Sequence, residues 1–266
     1  MDNSPIRRDR RAVLRGLAAG AVGLAGLAGC LERGGDGESG DNPFAGGGDG
    51  GQSSDGPDTT ADGGGGDLEI GVVGDDTALA DHPSVRDLSG QPYFGPPPGE
   101  GAGTVVAFED TSCSRCAAFE EGTVERIRTE LAASGDATFV FRGFPILYPS
   151  TSRPACAVLE ATLDRSPRAH FAMVREYFTN QNEYSADDVY DRSETRLNEL
   201  TDLDGAAVVA DAKEGAFDAA VETDVAAGEA AGASSTPAIY LFRDGEFRTM
   251  ASGSLSFEAV KTTLGL

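Results

Sequence analysis

The chain has 266 residues and a formal net charge of −23, and only Lys213 and Lys261 among its 21 basic residues are lysines. So acidic a surface repels nucleic acid and anionic lipid, which excludes a nucleic-acid-binding function. The composition resembles that of proteins from salt-loving organisms. So acidic a surface is tolerated there, because high ionic strength limits the repulsion between like charges to a range of roughly a few ångströms. The first part of the chain is poor in apolar residues, so we expect one globular unit whose core begins near residue 80.

Residues 1–29 have the pattern of an export signal. A twin arginine, Arg10-Arg11, is followed by a stretch from 16 to 28 that contains only Gly, Ala, Leu and Val. The 13 residues of this stretch are too few for a permanent membrane-spanning helix but suit the apolar core of a signal peptide. The segment therefore resembles a twin-arginine signal, a type that carries folded proteins.

The apolar stretch ends in Leu27-Ala28-Gly29-Cys30, which resembles the lipobox of bacterial and archaeal lipoproteins. In that family cleavage falls before the cysteine, so the resemblance implies that Cys30 becomes the lipid-modified first residue. An uncleaved anchor is the alternative. In both cases we expect the protein at the extracytoplasmic face of the cell membrane, and in the first the lipid on Cys30 holds it there.

Residues 30–75 are predicted to be a disordered tether. The part from Glu32 to Asp67 is rich in Gly, Asp and Ser and cannot bury enough apolar surface to offset the entropy of ordering. A Gly-rich coil of about 38 residues spans on the order of 35 Å, which would keep the folded domain close to the membrane. We expect that domain at residues 76–266, although Leu68 to Val73 could form a short strand ahead of it.

The folded domain is predicted to begin with a β-α-β unit. Thr104 to Glu109 and Ala137 to Arg142 each read as a strand. Between them a helix is predicted from Cys113 to Ala133, because three apolar residues recur on one of its faces: Val124, Ile127 and Leu131. A unit of this kind places its two strands parallel, joined by a right-handed crossover.

Two cysteines, Cys113 and Cys116, lie where the first strand gives way to the helix. At this spacing they can close a small disulfide ring, and the unpaired N–H groups and dipole at the helix start favour a thiolate on Cys113. We therefore predict redox chemistry, with a structural disulfide or half of a zinc site as alternatives. Zinc would need two more ligands, and the remaining candidates form no second close pair: Cys30, Cys156, His82 and His170.

A helical block of about four helices is predicted at about 154–232, where the chain is rich in alanine. Cys156 would lie at the start of its first helix, and we expect a buried, inert thiol there rather than a regulatory or dimer-forming one. His170 is expected to be a packed or surface histidine, and His82 a surface residue. Three residues of the third helix are expected to face the core: Val189, Leu197 and Leu200.

The C-terminal part reads as β-β-α. Ala238 to Phe242 predicts a strand, Asp244-Gly245 a two-residue hairpin turn, and Glu246 to Ala251 the antiparallel partner. Ser256 is placed to cap a last helix whose apolar residues share one face: Phe257, Val260 and Leu264.

This order of elements resembles the thioredoxin fold, and the helical block resembles the insertion of the DsbA-like disulfide oxidoreductases. The resemblance covers roughly residues 100 to 266. It rests on Cys113-Ser114-Arg115-Cys116 followed by Phe119, on Phe144-Pro145, and on Ser235-Thr236-Pro237-Ala238. It implies an α/β, thioredoxin-like fold with an inserted helical subdomain.

The resemblance also implies how the site is built. Pro237 would be cis and lie against the dithiol, and the backbone of Thr236 would pair with an extended substrate, whereas a trans proline starting an edge strand is the alternative. Two residues depart from the family pattern: Ser114 replaces a common proline, and Ala107 replaces a buried acid six positions before Cys113. Proton transfer at the second cysteine would then need water or another group, and two carboxylates are near in sequence: Glu109 and Asp110.

The activity implied is thiol-disulfide exchange without a cofactor or a bound metal. Cys113 would be the nucleophile and Cys116 the resolving thiol, while Arg115 and the helix N-terminus lower the pKa of Cys113 below ~8.5. A low pKa favours oxidation or isomerisation of disulfides over reduction. The expected partners are cysteine-containing exported proteins and a membrane redox partner, with no nucleic acid. There are three alternatives: a reductant of protein disulfides, a copper chaperone that uses the two cysteines as ligands, and a thioredoxin-like peroxidase.

Overall fold

The computed structural model describes residues 68–266 of the protein. The twin arginine, the lipobox with Cys30 and nearly all of the expected tether lie outside these residues. In the part that the structure describes, no helix has both the length and the apolar character needed to cross a membrane.

Six strands form one mixed sheet in the order β1-β2-β4-β3-β5-β6. Central strands β3 and β4 are parallel, as predicted, while β5 is antiparallel to β3 and β6 to β5. All seven residues of β3 and of β4 are buried, because these strands lie inside the sheet and other elements cover both of its faces. The strands are β1 Ile70–Val72, β2 Pro92–Phe94, β3 Gly103–Glu109, β4 Ala137–Gly143, β5 Ala238–Arg243 and β6 Glu246–Ser252.

The described residues contain seven α-helices. They are α1 Ser114–Phe119, α2 Pro149–Leu163, α3 Pro167–Thr179, α4 Val189–Leu200, α5 Gly205–Lys213, α6 Asp218–Ala230 and α7 Phe257–Leu264. The helix that we predicted from Cys113 to Ala133 is α-helical in α1 and again at residues 125–126, and it is π-helical in two segments, Glu120–Val124 and Ile127–Ala132. Its predicted core stripe is nevertheless buried, because Val124, Ile127 and Leu131 all join the main hydrophobic cluster.

The helical insertion starts earlier and holds one helix more than predicted. It begins at Pro149, which occupies the first helical position, where the missing N–H of proline costs no hydrogen bond. Because the helix starts there, Pro154 lies inside α2 and Cys156 lies near its middle. The fifth helix arises because Gly215, with φ +74°, interrupts the alanine-rich run between α5 and α6. Leu200, the last residue of α4, is 48% exposed, so its predicted place in the core is wrong.

Residues ahead of the β-α-β unit extend the sheet. Strand β1 ends at Val72, so the folded part begins before residue 76, where we expected it to start. Strand β2 had not been predicted; it pairs with β1 and with β4, antiparallel to both. The segment between β1 and β2 is fixed by fully buried Arg142 of β4, which donates to Asp224 of α6 and to the carbonyl groups of Ser84 and Arg86.

The C-terminal predictions are confirmed. Asp244 and Gly245 form the tight turn of the β5–β6 hairpin, both with positive φ, as a primed turn requires. Ser256 accepts a hydrogen bond from the backbone N–H of Ala259 and so caps α7. The predicted apolar face of α7 is buried: Phe257, Val260 and Leu264.

Candidate active site

The dithiol lies at the edge of the sheet where β3 ends. Cys113 is the N-cap of α1, and its carbonyl oxygen accepts the backbone N–H of Ala117 at 3.0 Å. Strand β5 pairs with β3 so that Ala238 is opposite Phe108. This pairing carries the segment just before β5 to the segment just after β3, and it brings the Thr236 carbonyl oxygen to 3.4 Å from Cys113 Sγ. The Thr236–Pro237 peptide bond in this segment is cis.

Cys113 is held in conditions that favour a thiolate. The pKa of Cys113 is lowered to about 5, and the hydrogen bond from Cys116 is the largest cause. Burial opposes this effect by raising the pKa. The Thr236 side chain and the backbone N–H groups of Cys116 and Arg115 lower the pKa further. Among these contacts Arg115 contributes its backbone N–H. Its guanidinium group lies beside Gly253, where Nη1 is 3.9 Å from the position that a Cβ atom on that residue would take. A role for the Arg115 charge stays a prediction.

Cys116 has the opposite environment. It is fully buried, and burial raises its pKa well above the usual value, followed by the hydrogen bond that it donates to Cys113 and by the nearby carboxyl of Glu109. The two neighbouring sulfurs therefore differ in their protonation: Cys113 loses its proton first and Cys116 keeps it. This division is the one that a nucleophile and a resolving thiol need.

The reactive sulfur has little exposed surface. Cys113 is 2% exposed, although it lies less deeply than Cys116. Thr236, in the segment that precedes β5, borders this sulfur.

The two candidate carboxylates of the sequence, Glu109 and Asp110, occupy different surroundings. Both oxygens of Asp110 are engaged as acceptors: Oδ1 by Ser112, and Oδ2 by the backbone N–H groups of Ile146 and Leu147 at 2.6 and 2.8 Å. Asp110 therefore shapes the loop. Glu109 is fully buried beside Cys116, and burial, then the neighbouring Glu120, raise its pKa well above the usual value.

Two residues near the dithiol were not found from the sequence. The side-chain amide of Gln181, in the helical insertion, donates to the carbonyl oxygens of Thr111 and Cys113 at 2.8 and 3.0 Å. Glu120 follows α1 and faces Glu109. Gln181 is separated from Cys113 by 68 residues, so no local pattern could indicate the contact.

The remaining candidates are structural. Cys156 is buried against Gly143 and burial raises its pKa, in agreement with an inert thiol. His170 is buried with its Nδ1 3.0 Å from the Leu159 carbonyl oxygen, so it is a packed histidine. His82 stacks on Phe247 with ring centroids 4.1 Å apart and is only partly exposed. Residues 68–266 contain no group of three or more side chains that could hold a metal ion.

Residues 99–264 match the family model described as thioredoxin, which covers more than half of the chain. The chain belongs to the thioredoxin family. Its dithiol, the cis bond at Pro237 and the parallel β3–α1–β4 unit all lie within the matched residues. No match to a curated protein is found for this thioredoxin-family chain.

Solved structures show the same fold at low sequence identity. Oxidised BdbD from Bacillus subtilis is 20% identical with a TM-score of 0.58, over 71% of this chain and 97% of that one. DsbA from Chlamydia trachomatis is 13% identical with a TM-score of 0.55, over 73% and 96%. A thioredoxin-like oxidoreductase from Silicibacter pomeroyi is 19% identical with a TM-score of 0.54, over 70% and 96%. The fold is thus the thioredoxin-like fold of DsbA proteins, with a helical insertion between β4 and β5.

Proposed function

We propose that this chain is an extracytoplasmic thiol-disulfide oxidoreductase that oxidises or isomerises disulfides of exported proteins. The observation that carries the proposal is the pair of unlike sulfurs, with Cys113 favoured as a thiolate at the helix start and Cys116 protonated behind it. The contact of Cys113 with Thr236 adds a backbone segment beside the reactive sulfur, on which an extended substrate can pair. Thr236 and Pro237 are therefore proposed as substrate-binding residues.

In the oxidising direction a substrate thiolate attacks Cys113 Sγ of the Cys113–Cys116 disulfide. The bond between the two enzyme sulfurs breaks, its electron pair goes to Cys116, and a mixed disulfide forms on Cys113. A second substrate thiolate then attacks the substrate sulfur of that bond and releases the Cys113 thiolate. The substrate loses two electrons, which the enzyme dithiol holds until a membrane redox partner removes them.

In the isomerising direction the Cys113 thiolate attacks a substrate disulfide, and one substrate sulfur leaves as a thiolate. A different substrate thiolate then attacks the substrate sulfur of the mixed disulfide, which forms the new substrate disulfide and releases the Cys113 thiolate. If Cys116 attacks Cys113 instead, the substrate disulfide is reduced and the enzyme disulfide forms, and Cys116 can do this only after it loses its proton. We propose that Glu109 exchanges this proton, because it is the carboxyl beside Cys116 and Asp110 is already occupied as an acceptor. Glu109 thus fills the role of the acid that Ala107 cannot supply.

The test is disulfide exchange on a reduced and on a scrambled protein substrate. Cys113→Ser should abolish both oxidative refolding and insulin reduction, and Cys116→Ser should trap mixed disulfides on Cys113. Cys156→Ser is the matched control, because that thiol is buried and lies outside the site. Unchanged activity in Cys113→Ser would contradict the proposal.

A redox titration of the Cys113–Cys116 couple decides the direction. A low pKa of Cys113 stabilises the reduced form, which makes the disulfide a stronger oxidant. A potential between about −120 and −180 mV is that of an oxidant or isomerase, and about −270 mV that of a reductant. We expect the first range.

We further propose that the enzyme is exported by a twin-arginine signal and anchored by lipid on Cys30. The sequence pattern of residues 1–30 supports this, and the Gly-rich segment that follows would act as the tether. Cys30→Ser should release the mature protein from the membrane fraction. Retention of this variant in that fraction would instead indicate an uncleaved anchor.

A further inference from the structure

The chain around the dithiol differs in charge from the rest of the protein. Four stretches form these surroundings, which we call the rim: 111–119, 144–148, 232–237 and 252–255. The second stretch is held against the first by Asp110, which is itself buried, and the third contacts Cys113 through Thr236. The fourth is joined to the third by a hydrogen bond of 2.8 Å from the Gly253 N–H to the Pro237 carbonyl oxygen. Asp and Glu make up 44 of the 266 residues of the chain, yet the rim contains neither.

Arg115 carries the one charge that the sequence places in the rim. Its side chain is exposed, and within residues 68–266 no carboxylate lies within 4.0 Å of its guanidinium group. Other exposed arginines differ in this respect, since Arg126, Arg192 and Arg196 each pair with at least two carboxylates. The cation beside the dithiol is therefore available to a carboxylate from another molecule.

The guanidinium group lies beside the segment on which a substrate would pair. Its Nη1 is 3.9 Å from the position that a Cβ atom on Gly253 would take, and Gly253 is bonded to Pro237. An extended substrate paired with the backbone of Thr236 advances by about 3.3 Å per residue. Side chains one or two residues from its cysteine therefore come within reach of Arg115, whose planar fork of donors fits a carboxylate.

We propose that Arg115 favours substrates that carry Asp or Glu within two residues of the reacting cysteine. The inference rests on the proposed function and names its substrate class, which is acidic segments that contain cysteine. Charge complementarity supports it: a chain with a net charge of −23 repels acidic protein, but the rim offers no acid and one unpaired cation where the sulfurs must meet. Salt at 0.1 M screens the more distant charges beyond about 10 Å, so the contact with Arg115 decides the preference.

The experiment compares two-cysteine peptides that differ only in the residues on both sides of each cysteine, which are Asp, Asn or Lys. The disulfide form of the protein oxidises each reduced peptide, and the second-order rate constant is measured at 0.1 M salt. The ratio of the Asp peptide to the Lys peptide should be about fivefold higher for the wild type than for Arg115→Gln, because an exposed ion pair contributes a factor of this order. Each ratio is taken on one protein, so a change in the pKa of Cys113 cancels. The comparison between proteins cancels the effect of the neighbouring charges on the peptide thiol.

Three further variants separate charge recognition from other causes. Arg115→Lys should keep part of the preference, and Arg115→Glu should reverse it. Arg168→Gln is the matched control, because Arg168 is also exposed and lies at the start of α3, about 20 Å from the end of α3 that leads to the dithiol. This control should keep the ratio of the wild type.

Equal ratios in the wild type and in Arg115→Gln would overturn the inference and leave the proposed function standing. An equal loss of preference in Arg168→Gln would overturn it too, because the effect would then come from net charge and not from the rim. If dithiothreitol reduces the wild-type disulfide but none of the peptides is oxidised by it, the proposed function fails and the inference fails with it.

Discussion

Replacing Cys116 by alanine should raise the pKa of the Cys113 thiol. The hydrogen bond from Cys116 is the largest of the causes that lower this pKa to about 5. A hydrogen bond to a charged group contributes about 1.5–3 kcal/mol, and one pKa unit corresponds to about 1.36 kcal/mol. We therefore expect the pKa of Cys113 in Cys116→Ala to lie roughly 1–2 units above that of the wild type.

The measurement is the pH dependence of ultraviolet thiolate absorbance and of iodoacetamide alkylation at Cys113. In the reduced wild type both should have a midpoint near pH 5, so that about 99% of Cys113 is thiolate at pH 7, against about 3% of a free cysteine. Cys116→Ser is the matched control, because its hydroxyl can still donate to the thiolate, and it should shift the midpoint less. A common midpoint for wild type and Cys116→Ala would refute the assigned hydrogen bond.

Three further results are expected. The pKa of Cys113 is lower in the folded state than in the unfolded one, so the unfolded state binds more protons between about pH 5 and 8.5. The free energy of unfolding of the reduced form should therefore rise with pH across this range, and this gain should be lost as the pH falls towards 5. Urea titrations of the reduced form, with the disulfide form as reference, measure the effect. Asp224→Asn leaves the buried charge of Arg142 without its partner and should lower the free energy of unfolding by about 3–5 kcal/mol. The double variant Arg142→Met with Asp224→Leu replaces both charges by apolar side chains and should recover most of the loss. Gln181→Ala removes two hydrogen bonds from the active-site loop and should cost about 1–2 kcal/mol and speed amide exchange at Ala117; an unchanged exchange rate would show that Gln181 does not hold the loop.

The elements that could be predicted from the sequence are those with a local signal. Strands β3 and β4 are apolar runs long enough to be recognised, and both end within one residue of the prediction. The Asp244-Gly245 turn and the Ser256 cap each depend on the chemistry of one or two residues. The dithiol was found for the same reason, since two cysteines at a helix start carry their own signal.

The elements that could not be predicted depend on distant contacts or on backbone irregularity. Strand β2 is only three residues long and exists because β1 and β4 supply its hydrogen bonds. The π-helical segments after α1 break the 3.6-residue period on which the prediction relied, and with them Glu120 reaches Glu109. Leu200 satisfied the helical spacing of a core residue, but it ends α4 and lies at the surface.

Adjacent carboxylates Glu109 and Asp110 show how one short segment serves two tasks. Successive residues at the end of a strand point to opposite sides, so the two carboxyl groups cannot share an environment. Asp110 accepts hydrogen bonds from the segment after β4 and fixes the loop that precedes Cys113. Glu109 lies beside Cys116 and Glu120, and it is therefore the carboxyl that we propose for proton exchange. Exchanging the two surroundings would require turning β3 over, so the acid proposed for proton exchange follows from the strand register and not from distance to Cys113 in sequence.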